Sequence, residues 1–189
     1  MVAVSKRISW LRLAQAVEFY ESIGYTYIEV PWVVDPVVTE LTYHKPVRWT
    51  TEYGDLVGSA ESGFLALSVD NPSGIKENKK YVSISPCFRE DSWSKTHQPW
   101  FMKVELFILY PQNSFEDLIT DAQSMFETIY DVKPTRKFIG PETDLQINGI
   151  EVGSYSSQSW KELVWACGTG LAEPRTSIAI EAGTNGFSV

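Results

Sequence analysis

Charged and aromatic residues are concentrated in the middle of the chain. They lie in two short segments, 87–91 (Cys-Phe-Arg-Glu-Asp) and 97–105 (His-Gln-Pro-Trp-Phe-Met-Lys-Val-Glu). Both segments are predicted strands, joined by a short polar loop. Because alternate side chains of a strand share a face, Arg89 lies with Asp91, and Phe101 lies with Lys103 and Glu105. A face with a guanidinium, a ring and a buried acid suits a planar base that carries phosphates.

The composition indicates one globular domain, covering residues 1–189. The chain has 189 residues, of which 43% are hydrophobic and 13% aromatic, so it can bury one sizeable core. Two cysteines, Cys87 and Cys167, and two histidines, His44 and His97, provide neither a disulfide framework nor a zinc ligand set. The net charge is -8, so contact with RNA would need a local patch or a partner.

The first apolar stretch is predicted to be part of the folded domain. Arg12 and Glu18 interrupt it, which excludes a signal peptide and a membrane span at this position. The expectation is a cytoplasmic protein without a membrane partner.

The order of predicted elements favours an α+β fold, an antiparallel sheet flanked by helices. Predicted helices are 6–22, 62–69, 114–130 (capped by Ser114) and 175–182. Predicted strands are 25–30, 55–58, 81–85 with the hairpin that follows and returns to residue 110, 144–147, 150–153 and 163–167. Asn148-Gly149 predicts a tight turn, Gly168 to Gly170 are expected to end the last strand, and 35–54 and 70–80 are predicted loops.

The hairpin sequence resembles motif 2 of class II aminoacyl-tRNA synthetases. That motif runs Phe-Arg-x-Glu, a loop, His or Arg, then Phe and an acid. The matching positions are Phe88, Arg89, Asp91 (in place of glutamate), His97, Phe101 and Glu105. Residues 96–101 are similar to the aspartyl, asparaginyl and lysyl group of this class.

Four further segments resemble class II elements in the correct order. Segment 168–176 looks like motif 3 in its seryl-type form, and 24–31 looks like motif 1, which forms the dimer interface in that class. Segment 59–61 is similar to the Thr-x-Glu loop that holds the substrate ammonium group, and 151–154 to the seryl-type Glu-x-x-Ser element. The resemblance covers the whole chain and implies a class II synthetase-like fold and a homodimer through residues 8–34.

The resemblance also implies a reaction and its residues. A carboxylate would attack the α-phosphate of ATP and give an acyl-adenylate and pyrophosphate. Arg89 would bind the α-phosphate and the substrate carboxylate, and Arg175 would contact the γ-phosphate and the adenine, whose other face would stack on Phe101. The other expected ATP contacts are Glu90 or Asp91 with the adenine amino group, His97 with the terminal phosphate, and the two glycines Gly168 and Gly170.

Two smaller groups of residues complete the implied site. Glu151 and Ser154 would hold Mg²⁺, which prefers oxygen ligands. Strict strand alternation puts these two residues on opposite faces, so a bulge near Gly153 is predicted. Ser59, Glu61 and Glu105 would bind the amino acid.

Each role has a purely structural alternative. The alternatives are a salt bridge of Arg89 with Asp91 or Glu105, core packing of Phe101, a solvated position for His97, tight packing at Gly168 and Gly170, and a helix start at Ser59 and Glu61.

The leading functional hypothesis is ATP-dependent activation of a small amino acid, followed by transfer to a tRNA end, a carrier protein or a small molecule. The alternative is a non-catalytic paralogue that acts as a binding or regulatory subunit. Such paralogues typically lose the motif 2 or motif 3 arginine, and both are present here. We expect no anticodon-binding domain and no tRNA-binding arm, and together with the acidic charge this favours a small-molecule acceptor over tRNA.

Overall fold

The computed structural model describes residues 8–42, 49–70, 74–89, 99–113 and 115–184. The helices in this part of the chain are α1 (Trp10–Ser22), α2 (Pro36–Thr42), α3 (Ala60–Asp70), α4 (Glu116–Tyr130) and α5 (Arg175–Thr184). The strands are β1 (Thr26–Tyr27), β2 (Val33–Val34), β3 (Thr50–Thr51), β4 (Gly54–Leu56), β5 (Lys80–Phe88), β6 (Trp100–Leu109), β7 (Thr135–Ile139), β8 (Glu142–Ile147), β9 (Ile150–Trp160) and β10 (Leu163–Glu173).

Seven of the strands form one sheet in the order β1-β5-β6-β10-β9-β8-β7, and β2, β4 and β3 form a small second sheet. All neighbours in the large sheet are antiparallel except β1, which runs parallel to β5. The α+β class with an antiparallel sheet is therefore confirmed. The predicted central hairpin is confirmed too, because β5 and β6 pair from Lys80 with Ile108 to Phe88 with Trp100.

The large sheet has two different faces. We call the side that packs against α1 and α4 the helical face, and it buries Val104, Leu106 and Phe126 among other apolar side chains. We call the opposite side the site face. There α3 covers one end of the strands, where the ring of Phe64 stacks on Phe107 at a centroid distance of 4.7 Å. Lys103 and Glu105 lie on the site face beside this apolar end.

Helix α1 begins later than its predicted start at residue 6. Ser9 caps it, with its hydroxyl accepting from the backbone N–H of Arg12 at 3.4 Å. The buried stripe is Leu13, Ala16, Val17 and Tyr20. Trp10 and Ala14 are close to the helical period of Leu13 and Val17, but they lie at the edge of this stripe and are exposed.

The prediction of a loop over 35–54 was wrong. Helix α2 begins at Pro36, and the Asp35 carboxylate accepts from the backbone N–H of Val37 at 2.8 Å. Aspartate followed by proline is a normal helix start, since proline lacks the N–H that the first turn leaves unpaired. Strands β3 and β4 form a hairpin in the rest of this segment.

The last strand does not end at Cys167 as predicted, because β10 continues through both glycines to Glu173. Strand β7 has no counterpart among the predicted elements, and β9 runs on to Trp160. The turn at Asn148-Gly149 is confirmed, and both residues have positive φ angles.

The other predicted helices are confirmed as α3, α4 and α5, with ends that differ by a few residues. Ser114, the expected cap of α4, lies outside the described residues. Within the described residues no helix is long and apolar enough to cross a lipid bilayer.

Candidate active site

Two arginines that are far apart in sequence meet at one aromatic ring on the site face. The guanidinium carbon of Arg89 lies 5.4 Å from the ring centroid of Phe101, and that of Arg175 lies 5.9 Å from the same centroid. Both distances are within the range of a cation–π contact. The two arginines and the ring, expected to form one site, are therefore adjacent.

Arg89 is held at the end of β5 by backbone contacts on both sides. Its N–H donates to the Pro99 carbonyl at 2.9 Å, which continues the pairing with the return strand. Its side-chain Nε donates to the Gly58 carbonyl at 3.1 Å, just before α3. One edge of the guanidinium is thus fixed to the protein, and within the described residues its Nη groups make no hydrogen bond.

Arg175 is the first residue of α5 and follows β10 directly. Its Nη1 donates to Glu151 Oε1 at 2.7 Å, and its side chain is largely buried. Glu151 therefore holds Arg175 in place beside Phe101, a contact that the sequence did not predict.

Glu151 and Ser154 are brought to the same region by a break in strand pairing. Glu151 pairs with Gln146, but Gly153 pairs with Leu145, so Val152 is an extra residue in β9. The bulge predicted near Gly153 is confirmed, and it restores both side chains to one side.

Asp144 is a further acidic residue here, and the sequence analysis missed it. It pairs with Ser154 across the strands, and the Ser154 hydroxyl donates to its carboxylate. Burial raises the pKa of Asp144, and the nearby Glu151 carboxylate raises it further. A hairpin turned at Asn148-Gly149 without a bulge would pair Asp144 with Gly153, so no local pattern indicated its contact with Ser154.

The donors at this bulge fit the Mg²⁺ that the resemblance implies. Two carboxylates that repel each other and a hydroxyl supply oxygen ligands, which Mg²⁺ prefers while it keeps several waters. The set contains only two carboxylates, and in the described part of the chain no three or more His, Cys, Asp or Glu residues lie close enough together to hold a metal ion.

A buried ion pair lies in the middle of the site face. Lys103 Nζ is 2.7 Å from Glu105 Oε2, and both side chains are at most 10% exposed. Burial raises the pKa of Glu105 to about 7, although the positive charge of Lys103 acts in the opposite direction. Lys103 had no predicted role, even though its shared face with Glu105 was expected.

Glu61 lies near Glu105 but is already bound by two donors. Its Oε1 accepts from Trp165 Nε1 at 2.7 Å and from Cys167 Sγ at 3.2 Å. Burial, together with Glu61, raises the pKa of the Cys167 thiol well above its ordinary value, so the thiol is a neutral donor. Ser59 is buried just before α3. Neither Trp165 nor Cys167 was predicted to belong to the site.

The two glycines of the expected motif 3 have a structural role. A Cβ atom on Gly168 would overlap the Tyr155 ring, and one on Gly170 would lie 2.8 Å from the Tyr20 ring. Both rings belong to the core on the helical face. Tight packing therefore explains the lack of side chains, and contact of this backbone with ATP stays a prediction. Glu90, Asp91 and His97 lie outside the described residues.

The geometry suits a polyanion that carries a flat ring. Arg89 and Arg175 present two positive charges next to an aromatic surface, and the acids Glu151 and Asp144 lie beside one of them. Lys103, Glu105 and Glu61 form a second polar group deeper in the site. Charge-assisted hydrogen bonds from a planar guanidinium are strong and directional, which favours phosphate or carboxylate as the partner.

Comparison with known proteins identifies the family. Residues 66–188 match the family model described as tRNA synthetases class II core domain (F). The chain belongs to this family. No curated protein matches the chain.

Solved structures of class II synthetases have the same fold. The pyrrolysyl-tRNA synthetase PylSc of Desulfitobacterium hafniense matches with a TM-score of 0.72 and 15% identity, over 95% of this chain and 72% of that one. Seryl-tRNA synthetase from Pyrococcus horikoshii, in complex with ATP, matches with a TM-score of 0.70 and 20% identity, over 89% of this chain and 49% of that one. The cytoplasmic serine-tRNA ligase of Naegleria fowleri, in complex with AMP, has a TM-score of 0.69 and 17% identity, over 89% of this chain and 47% of that one. This chain therefore spans about half the length of the seryl enzymes that it resembles.

Proposed function

We propose that this class II synthetase core uses ATP to activate a small amino acid as its aminoacyl-adenylate. An oxygen of the amino-acid carboxylate attacks the α-phosphorus of ATP and forms a new P–O bond. The bond between the α-phosphorus and the bridging oxygen breaks, and the electron pair leaves with pyrophosphate. The obstacle is the repulsion between an anionic nucleophile and an anionic phosphate, so positioning and charge stabilisation carry the catalysis.

The observation that carries this proposal is the convergence of Arg89 and Arg175 on the Phe101 ring. In the proposed complex Arg89 binds the α-phosphate and the carboxylate, and thereby holds the two anions together. Adenine would enter between Phe101 and Arg175, which separate from their present 5.9 Å to admit it, with the γ-phosphate on the Arg175 guanidinium. Asp91 or Glu90 would accept from the adenine amino group, and His97 would contact the terminal phosphate.

Mg²⁺ would be held by Glu151 and Ser154 together with Asp144, and it would neutralise phosphate charge. Glu151 also keeps Arg175 next to the ring through its 2.7 Å contact. Glu105 is available for the ammonium group of the amino acid, with Lys103 fixing its position. Glu61 would contact the amino acid through Oε2, since its Oε1 already accepts from Trp165 and Cys167.

The acceptor of the activated amino acid is part of the proposal. The net charge of -8 opposes strong binding of a folded RNA by this chain alone. A small molecule or a carrier protein is therefore favoured over a tRNA end. The structural neighbours are tRNA synthetases, and transfer of the labelled amino acid to tRNA by this chain would support a tRNA end instead.

A homodimer through residues 8–34 is also proposed. Trp10, Leu11 and Trp32 in this segment are 62%, 69% and 52% exposed. Trp32 also lines a groove of about 600 Å³, together with Tyr27, Glu29, Val30, Pro31, Val33 and Ile84. Large exposed apolar side chains around a groove are typical of a protein interface. A monomer in analytical ultracentrifugation would contradict this part of the proposal.

The function is tested by ATP–pyrophosphate exchange with each of the twenty amino acids, with and without tRNA. We expect exchange with one small amino acid, and its loss in Arg89→Ala and Arg175→Ala. Arg136→Ala is the matched control, because Arg136 pairs with Glu116 away from the site. Absence of exchange with every amino acid in both conditions would favour the non-catalytic alternative. Exchange only with tRNA would identify tRNA as a required partner.

A further inference from the structure

The second half of β10 contains an irregularity that decides which side chains face the site. Thr169 pairs with Glu105 and Leu171 pairs with Val104, so Gly170 is an extra residue without a partner on β6. Such a bulge shifts the alternation of side chains by one residue.

The shift determines which residues of β10 lie on the site face and which lie on the helical face. Ala172 pairs with Lys103 and lies with it on the site face, whereas Leu171 packs in the core of the helical face. Glu173 also lies on the helical face, where its carboxylate accepts from the Ser177 hydroxyl at 2.7 Å. Without the bulge, Leu171 and Glu173 would face the site instead, and α5 with Arg175 would begin in a different direction.

Two buried tyrosine hydroxyls bind the carbonyl groups of this bulge. Tyr155 donates to the Thr169 carbonyl at 2.6 Å, and Tyr20 donates to the Gly170 carbonyl at 3.0 Å. Tyr155 belongs to β9 and Tyr20 to α1, so a strand and a helix meet at two successive peptide groups. Burial raises the pKa of both phenols well above the ordinary value, so both remain protonated donors.

The surrounding glycines make room for these two rings. In addition to Gly168 and Gly170, Gly153 on β9 lies against Tyr155, and a Cβ there would be 2.9 Å from the tyrosine hydroxyl. Three glycines on two strands therefore allow two tyrosines to reach one bulge. Core packing alone does not require the two hydroxyls, because phenylalanine rings would fill the same space.

We propose that Tyr20 and Tyr155 are positioning residues of the nucleotide site, which fix the bulge at Thr169–Gly170 and so determine where Arg175 lies. Their hydroxyls do not touch substrate. They act through the backbone of β10, whose register sets the site-face position of Ala172 and the start of α5. What Arg175 binds rests on the proposed function, but the effect of the tyrosines on β10 does not.

The test uses Tyr155→Phe and Tyr20→Phe, which keep the rings and remove only the donors. The matched control is Tyr25→Phe, since Tyr25 is buried in the same core and donates to Asp121 on α4 at 2.8 Å. The measurements are calorimetric binding of a non-hydrolysable ATP analogue, Michaelis constants in pyrophosphate exchange, and hydrogen exchange of the backbone amides between residues 169 and 175, of which Pro174 has none.

We expect the two test variants to bind the analogue about tenfold more weakly, because a displaced Arg175 loses part of its charge-assisted contact with the ligand. The Michaelis constant for ATP should rise while that for the amino acid stays unchanged, and amides 169–175 should exchange faster. Tyr25→Phe should lose stability without any of these changes.

The proposal is overturned if the two test variants match Tyr25→Phe in both analogue affinity and hydrogen exchange. A wild-type protein that does not bind the analogue would refute the proposed function instead. In that case the hydrogen exchange of amides 169–175, which needs no ligand, still tests the positioning role. Faster exchange in the two test variants than in Tyr25→Phe would support it, and equal exchange would overturn it.

Discussion

On the single strand β6, neighbouring residues have opposite surroundings. Val104, Leu106 and Ile108 enter the apolar core against α1 and α4, whereas Lys103 and Glu105 lie on the other side as a buried ion pair. The same division continues onto β10, where Leu171 packs in the core and Thr169 lies beside Glu105.

The two faces have different roles: the helical face stabilises the fold, and the site face is built for binding. Polar groups on the helical face include the hydrogen-bonded pairs of Tyr25 with Asp121 and of Glu173 with Ser177. The site face buries the ion pair of Lys103 and Glu105, and such a pair contributes little or nothing to stability in comparison with apolar packing. Charges that are buried at this cost, with strongly shifted pKa values, are typical of functional sites. The comparison predicts that substitutions on the two faces have separable effects.

The largest effect is expected for a phenylalanine on the helical face. Phe126→Ala removes a fully buried ring from α4, which should lower the free energy of unfolding by about 3–5 kcal/mol. Chemical denaturation measures this change. A loss below about 1 kcal/mol would show that the helical face does not carry the stability of the fold.

The matched substitution on the site face is Phe101→Ala. Phe101 is only half-buried and lies between two guanidinium groups, so we expect a small change in unfolding free energy. ATP binding should weaken by about 1–3 kcal/mol, the typical contribution of stacking one base on an aromatic ring. Calorimetry with a non-hydrolysable ATP analogue measures this. Equal affinities of variant and wild type would remove Phe101 from the site.

A smaller effect is expected from the ionisation of Glu105. Its pKa is raised to about 7 from an ordinary value of 4.5, so the folded state binds more protons than the unfolded state between these values. The free energy of unfolding should therefore fall as pH rises across this window, by at most about 1.4 kcal/mol per pH unit. Groups that face this carboxyl are Lys103, Glu61 and Arg89.

Denaturation of Glu105→Gln between pH 4.5 and 8 checks this contribution. The variant should lose the fall in stability across the window, whereas Glu116→Gln, which removes a half-exposed carboxylate on α4, should keep it. Parallel curves for wild type and Glu105→Gln would contradict the raised pKa.

The smallest effect is expected at the edge of the sheet. Arg136→Ala breaks a surface ion pair with Glu116, and such pairs contribute about 0–1 kcal/mol. We expect unchanged pyrophosphate exchange and a stability change within that range. A large loss of exchange in this variant would show that residues far from the site also affect its activity, so that stability and binding are not separate.

Much of the fold was predictable because local patterns and the final structure agree. The periodic helices, the turn at Asn148-Gly149 and the hairpin of β5 and β6 all follow from neighbouring residues. The path of β10 was not predictable in this way. Its glycines look like the end of a strand, and only the rings of Tyr20 and Tyr155, which are distant in sequence, explain why the strand continues.

The candidate site was also predictable only in part. Alternation in a strand placed Lys103 and Glu105 on one face, and the resemblance to class II motifs paired Arg89 with Arg175 across the chain. The contacts of Asp144 with Ser154, and of Trp165 and Cys167 with Glu61, depend on pairing between strands and on the packing of α3. No local pattern contains that information.

The most direct test is a crystal structure with a non-hydrolysable ATP analogue and Mg²⁺. Adenine should lie between the Phe101 ring and the Arg175 guanidinium, which move apart to admit it, with Arg89 on the α-phosphate. An analogue bound elsewhere, or bound here with those three side chains turned away from it, would contradict the central claim.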